Sequence, residues 1–233
     1  MTRYVATAVA IAILTVGSAA QAQIAVSAND NKVINVNGVV KVVPNPPSDT
    51  VSVIDLKASP PRVIGEVAAP ASVVGPPLSI AVTPDESLAI VTASAKVDPS
   101  DPTKQTPNNQ VSVIDLKANP PKVIASLEAG KGAAGISINR QGTLALVSNL
   151  QDGTVSVFSI QGKTVTPVGT VEVGGEKAGG GMVAIAPDGK TILVGNMIEK
   201  DYWIFSWDGT TLKDTGGRVK VNGGPAAIRT ADR

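Results

Sequence analysis

From residue 23 onward, the apolar positions of this chain come in short β-branched runs that alternate with polar residues and end at turn residues. The run VSVIDLKASPPRVI at residues 51–64 returns as VSVIDLKANPPKVI at residues 111–124, with only two positions changed. Val and Ile favour strands, whereas the paired prolines supply no backbone donor to a sheet and indicate a turn. Each copy therefore predicts a hairpin of two strands.

A second repeated pattern lies upstream of each hairpin and consists of an apolar triplet, a turn and another strand. Its copies begin at Ile24, Ile80, Ile136 and Val183, and the last reads VAIAPDGKTILVGN. Pro-Asp-Gly is typical of a tight β-turn. The two patterns give four-stranded units in the order A, B, C, D. The sequence therefore predicts an all-β fold, a β-propeller of about four blades. A β-sandwich does not explain why this order restarts.

The N-terminal 22 residues have the pattern of a secretory signal peptide. Arg3 precedes the apolar run VATAVAIAILTV, and small residues follow up to Ala20-Gln21-Ala22. The apolar run is too short to span a bilayer, and A-x-A is a signal-peptidase site. We expect cleavage before Gln23, a propeller domain over residues 23–233, and a periplasmic or secreted protein without a stable membrane anchor. The alternative is a retained anchor.

Charge and composition exclude several classes of function. Without residues 1–22 the chain carries 19 basic and 19 acidic side chains, so we expect no binding to nucleic acid. There is no histidine and no cysteine, which excludes Ser-His-Asp and Cys-His catalysis and imidazole or thiolate zinc sites. The chain has no haem motif and no adjacent cysteines, which argues against an electron-transfer or quinone-cofactor propeller. We expect no cofactor and no metal.

The loops that should carry function are the B–C and D–A connections, which emerge on one face of a propeller. The longer ones are predicted at residues 39–49, 68–77, 96–109 and 128–135. Their polar residues are the candidate binding residues: Asp98, Asp101, Asn108, Asn109, Glu128 and Lys131. A calcium site at the first four lacks the alternating spacing of oxygen ligands. A plain solvated, proline-rich loop is the alternative for residues 96–109.

Two other groups of residues are better explained by structure than by function. Asp55 and Asp115 recur at the end of strand C, where a carboxylate caps a turn. Trp203, Phe205 and Trp207 occupy one face of a single strand. Because both faces of a blade are covered by neighbours, we expect this aromatic face to pack in the core rather than to bind a ligand.

The repeats resemble the YVTN-repeat β-propeller family, which includes YncE-like periplasmic proteins. The similarity rests on the tetrapeptides LVSN at 146–149, LVGN at 193–196 and, more loosely, IVTA at 90–93, each followed by strand C. The family commonly closes a ring of about seven blades, whereas four units are present here. We expect residues 223–230 to close the ring by pairing with the N-terminal hairpin. An unclosed ring would expose the aromatic face and favour a homodimer.

Two functions from different classes remain. The favoured one is an exported, non-enzymatic propeller that binds a protein or a small molecule through its B–C and D–A loops. The alternative is a lactonase-like hydrolase of sugar lactones, because lactonase propellers share the repeat architecture. The absence of histidine argues against enzymatic activity, since histidine is the usual general base near neutral pH.

Overall fold

A computed structural model describes residues 23–72, 79–174, 180–225 and 227–230, and the predicted signal peptide lies outside them. The described residues contain strands and no helix, and therefore no helix able to span a membrane. The strands are β1 (Ile24–Asn29), β2 (Val33–Val36), β3 (Val39–Val42), β4 (Thr50–Asp55), β5 (Arg62–Ala68), β6 (Ile80–Val82), β7 (Leu88–Asp98), β8 (Asp101–Asp115), β9 (Lys122–Glu128), β10 (Ala133–Ile138), β11 (Leu144–Asn149), β12 (Thr154–Gln161), β13 (Thr164–Glu172), β14 (Met182–Ile185), β15 (Thr191–Asn196), β16 (Asp201–Trp207) and β17 (Leu212–Lys220).

Four antiparallel sheets follow one another along the chain. The first has three strands in the order β1-β4-β5, and the others have four: β6-β7-β8-β9, β10-β11-β12-β13 and β14-β15-β16-β17. We call them the first to fourth blades. The remaining pair, β2-β3, is a separate hairpin. The all-β class and the four-stranded blades are confirmed, and so are the two repeated hairpins, which are β4-β5 and β8-β9.

The start of the first repeat was predicted wrongly. β1 pairs directly with β4, so it is the second strand of its blade and matches β11 and β15 rather than β10 and β14. The side chain of Asn29 donates to Thr50 and Ser52, as that of Asn149 donates to Thr154 and Ser156. The letters IAV after Gln23 fit either strand, and only the pairing shows which one they form. The sequence KVINVN belongs to the β2-β3 hairpin, inserted between β1 and β4.

The hydrophobic core is divided into three layers, one between each pair of neighbouring blades. Val51, Val91 and Ile114 lie between the first and second blades, and Leu88, Val113 and Phe158 between the second and third. The third layer joins the third and fourth blades. Side chains alternate in direction along a strand, so β12 supplies Phe158 to one layer and Val157 to the next. Both faces of the two central blades are therefore buried, which explains their nearly continuous apolar strands.

The aromatic face of β16 packs in the third layer, as predicted. Phe205 is buried there, and Trp203 and Trp207 pack against the same cluster. The guanidinium of Arg218 lies 3.8 Å from the centre of the Trp203 ring, in a cation–π contact. The expectation that this face would be open in an unclosed ring is wrong, because it points toward the third blade. The outward face of the fourth blade carries Tyr202 and Ile204 instead.

The C-terminal segment does not pair with the first blade, which corrects the predicted closure. Its described residues 227–230 lie outside any strand and contact the fourth blade: the Tyr202 hydroxyl donates to the Ala227 carbonyl at 3.2 Å, and the Thr230 hydroxyl donates to the Ile185 carbonyl at 2.9 Å. β1 is the edge strand of its sheet. Ala226 lies outside the described residues. The four blades therefore form an open arc.

Candidate functional site

Two hairpins project from the same end of the first two blades. One is β2-β3, and the other is the far part of β7 and β8, which pair up to Asp98 and Asp101. β3 packs beside β8. The predicted proline-rich loop at 96–109 is thus mostly strand. Pro107 is tolerated because it lies opposite Ala95, where the register shifts, and an irregular ladder does not need its missing N–H.

A cleft of about 520 Å³ lies between the segments that flank the β2-β3 hairpin, the β7-β8 hairpin and the D–A connection. Three chain segments that are distant in sequence form it, which confirms that B–C and D–A connections meet on one face. It is lined by Lys32, Pro46, Pro47, Ser48, Asp49, Ala68, Ala69, Pro70, Ala95, Lys96, Val97, Asn108 and Gln110. Most of its wall is proline and small apolar side chains, and amide and hydroxyl groups supply hydrogen-bonding capacity.

A buried ion-pair network forms one side of the cleft. The ammonium of Lys32 contacts the carboxylates of Asp30, at 2.9 Å, and Asp49, and donates to the Ala71 carbonyl at 2.6 Å. The exposed fractions of the Lys32, Asp30 and Asp49 side chains are 8%, 0% and 7%. Asp49 also accepts hydrogen bonds from the backbone N–H groups of Asn31 and Ala71. The network joins β1, β4 and the D–A connection, and it holds the cleft in shape.

Asp98 and Asp101 lie at the tip of the second hairpin and are occupied by local hydrogen bonds. The carboxylate of Asp98 accepts from the N–H and hydroxyl of Ser100, which lowers its pKa. A hydrogen bond from Lys104, together with those from Thr103, lowers the pKa of Asp101. Both carboxylates are therefore ionised at neutral pH and cap turns. This is not the arrangement of a general acid.

The other predicted residues do not form one cluster. Asn108 lines the cleft, and its carbonyl accepts from the backbone N–H of Gly132, directly before the third blade. The Asn109 carbonyl accepts from the backbone N–H of Ala129 and extends the pairing of β8 with β9. Glu128 lines a different cleft of about 370 Å³ beside the third blade. Lys131 is exposed, and its backbone N–H donates to Asp152 at 2.7 Å. Of the six candidates, only Asn108 lines the larger cleft.

The most buried polar residues of the site, Lys32 and Asp49, were not among the predicted ones. A sequence signal for them exists, because acidic and basic residues flank both ends of the inserted hairpin, at 30–32 and at 49. The turn-capping prediction is confirmed: the carboxylates of Asp55 and Asp115 accept from the backbone N–H two residues further on. No group of three or more acidic side chains within the described ranges is arranged to hold a metal ion.

The chain is similar in structure to known β-propellers. It matches a putative 6-phosphogluconolactonase from Bacteroides uniformis over 86% of its length, with a TM-score of 0.56 and 15% identity. It matches the β-propeller domain of Cps50 (Swd1) from Myceliophteria thermophila over 82% of its length, with a TM-score of 0.55 and 10% identity. It matches hydrazine synthase from Kuenenia stuttgartiensis over 71% of its length, with a TM-score of 0.50 and 24% identity. The chain spans 58%, 58% and 41% of those three chains.

These similarities, together with the sheet order, define the chain as a β-propeller protein. At such identities they show the fold alone. No protein-family model matches the sequence, and neither does any curated protein. The resemblance to the YVTN-repeat family therefore rests on the tetrapeptides quoted above.

Proposed function

We propose that this chain is an exported, non-enzymatic binding protein that holds an extended segment of a partner, or a small ligand of similar chemistry, in the cleft between its first two blades. The observation that carries the proposal is the cleft itself, which has a volume of about 520 Å³ and is built from the segments that flank the β2-β3 hairpin, the β7-β8 hairpin and a D–A connection. A concave site with an apolar wall and a few fixed polar groups is the usual form of a binding site.

The lining predicts the chemistry of the ligand. The charges of Lys32 and Asp49 are paired with each other, so they offer little to a charged ligand. The amides of Asn108 and Gln110 lie in a wall rich in proline and alanine, and Lys96 is exposed at the rim. We therefore expect a ligand with an apolar body, carbonyl or hydroxyl groups for the amides, and at most a weak negative charge.

The β2-β3 hairpin extends the binding surface beyond the cleft. Ile34, Val39 and Val40 are 52%, 59% and 62% exposed, although these residue types are usually buried. A two-stranded hairpin with such exposed β-branched side chains is stabilised when a partner covers them. This favours a protein segment over a free small molecule.

The lactone-hydrolase alternative has weaker support from the site. Asp98 and Asp101 are half-buried turn caps with lowered pKa values, and Glu128 lines a separate cleft. A hydrolase needs an acid or base next to the substrate, with a pKa near the working pH. The structural similarity to a putative 6-phosphogluconolactonase concerns the fold.

A displayed library of random peptides, selected on the purified chain, tests the proposal. We expect selected peptides to be apolar with few basic residues, and their affinity to fall at least tenfold in Pro47→Asp and in Lys96→Glu. Lys104→Glu, at the tip of the hairpin and outside the cleft, is the matched control. Peptides that bind all variants equally would contradict the cleft as the site. Hydrolysis of a sugar lactone that Glu128→Gln abolishes would establish the alternative.

A further inference from the structure

Among the described residues, the first blade has three strands where each of the other blades has four. In each of the other three blades an inner strand pairs with the second strand, with Val82 opposite Ala89, Ile138 opposite Ala145 and Ile185 opposite Ile192. β1 takes the place of the second strand, and its only partner in the sheet of described strands is β4. Ala25 is equivalent to Ala89, Ala145 and Ile192 in the other blades. Each of these residues lies opposite the same position of the third strand, which is Ile54, Ile114, Phe158 and Phe205 in blade order.

The C-terminal segment has the sequence of an inner strand, although its described residues are not in a strand. Its sequence AAIRT, residues 226–230, aligns with VAIAP at 183–187 and ISINR at 136–140, which begin the fourth and third blades. In the structure, residues 227–230 lie beside β14, held by the hydrogen bonds of Ala227 and Thr230. Inner strands of neighbouring blades already lie side by side, β6 next to β10 and β10 next to β14. The segment continues that row by one more place.

The geometry points to a second copy of this chain as the partner of both ends. We propose that residues 227–230 of one copy add to β1 of another as the missing inner strand, and that the exchange is reciprocal. Two four-blade arcs then give an eight-blade ring, within the size range of closed propellers. The alignment places Ile228 of one copy opposite Ala25 of the other. A two-fold arrangement of this kind uses the same contact twice and closes.

The open faces at the two ends of the arc are compatible with this contact. The set Asn29, Thr50 and Ser52 lies on the open face of the first blade, and the same set in the third blade, around Asn149, is buried against the second blade. A neighbouring blade can therefore cover this arrangement with its amide and hydroxyl donors paired, and in the third blade only the Asn149 Oδ1 of the set is buried without a hydrogen-bond partner among the described residues. At the other end Val219 is exposed, and it would be covered by the second copy.

The mass of the purified chain in solution, measured by light scattering after gel filtration, is the first test. We expect the mass of two chains. Arg229 aligns with Asn139 and Ala186, whose backbone N–H groups donate to the second strands of their blades. Arg229→Pro therefore removes a donor to β1 and should give the mass of one chain while the circular dichroism spectrum is unchanged. Val40→Asp, on the exposed hairpin, is the control and should stay dimeric. A single-chain mass for the parent, or a dimer lost only in Val40→Asp, would overturn the proposal.

A cross-link tests the register. The chain has no cysteine, so one preparation can carry Ala25→Cys alone and a second Ile228→Cys alone. Opposed positions in an antiparallel pair lie close enough for a disulfide, and after mixing under oxidising conditions we expect a covalent dimer with one chain of each kind. Ala25→Cys mixed with Val40→Cys should give none. Cross-linking in the control mixture only, or in neither mixture, would show that the two strands do not pair between copies.

Discussion

Replacing Lys32 by methionine removes the cation of the buried network and leaves its two carboxylates in place. The Asp30 side chain is fully buried and that of Asp49 nearly so, and Lys32 is the basic side chain shown in contact with them. Breaking a buried ion pair by removing one partner costs about 3–5 kcal/mol. Backbone N–H groups still donate to Asp49, and the N–H of residue 32 still donates to Asp30, so the lower end is expected. We predict a loss of about 3 kcal/mol.

Urea unfolding provides the measurement, followed by both circular dichroism and tryptophan fluorescence. Both tryptophans, Trp203 and Trp207, are in the fourth blade, whereas the network is in the first. Stability in a repeat protein is a sum over units and their interfaces, so the circular dichroism transition should shift more than the fluorescence transition if the blades unfold separately. Lys104→Met, which removes a bridge whose lysine is 72% exposed, should change the free energy of unfolding by less than about 0.5 kcal/mol. A Lys32→Met variant as stable as this control would refute the reasoning.

Three further predictions concern single substitutions, and the first two compare matched positions in different blades. Gly65→Ala should destabilise the protein by about 1–3 kcal/mol in thermal unfolding, because the new Cβ would lie 2.5 Å from a proline side chain of the second blade. Gly169→Ala is the control: it lies at the equivalent position of the third blade with open space around it, and it should be neutral or slightly stabilising. Asn149→Ala should lower the free energy of unfolding by about 2 kcal/mol, and Asn29→Ala by about half of that. Both side chains donate to a Thr and a Ser, but only Asn149 is fully buried. Equal losses would contradict the role of burial. The side-chain hydrogen bond from Lys163, which is half-exposed, lowers the pKa of Asp115. The stability that the ionised Asp115 contributes is therefore present above about pH 4 and is lost as the pH falls through the lowered pKa. Asp115→Asn should therefore be less stable than the parent by about 1 kcal/mol at pH 7, and this difference should shrink as the pH falls below about 4.

The blades could be predicted from sequence because their signals are local. Residues 51–64 and 111–124 form hairpins whose two strands are neighbours in the sequence, and alternation and a proline turn mark both. The phase of the first repeat could not be predicted, because Ile24–Asn29 is apolar enough for either of two strands and its pairing with β4 crosses an inserted hairpin. The cleft could not be predicted either. It depends on how two blades pack, which brings Pro47, Pro70 and Asn108 together from three segments.

The near-identical segments 51–64 and 111–124 begin 60 residues apart and form the same hairpin in adjacent blades. Matching coding sequences are the places where recombination exchanges repeats out of step. An exchange within these segments would join strand β4 to the continuation of β8, or the reverse, and so delete or duplicate 60 residues in frame. Each blade of the product would still contain whole strands, because the join falls inside equivalent hairpins. The number of blades in this protein can therefore change by one in a single genetic event.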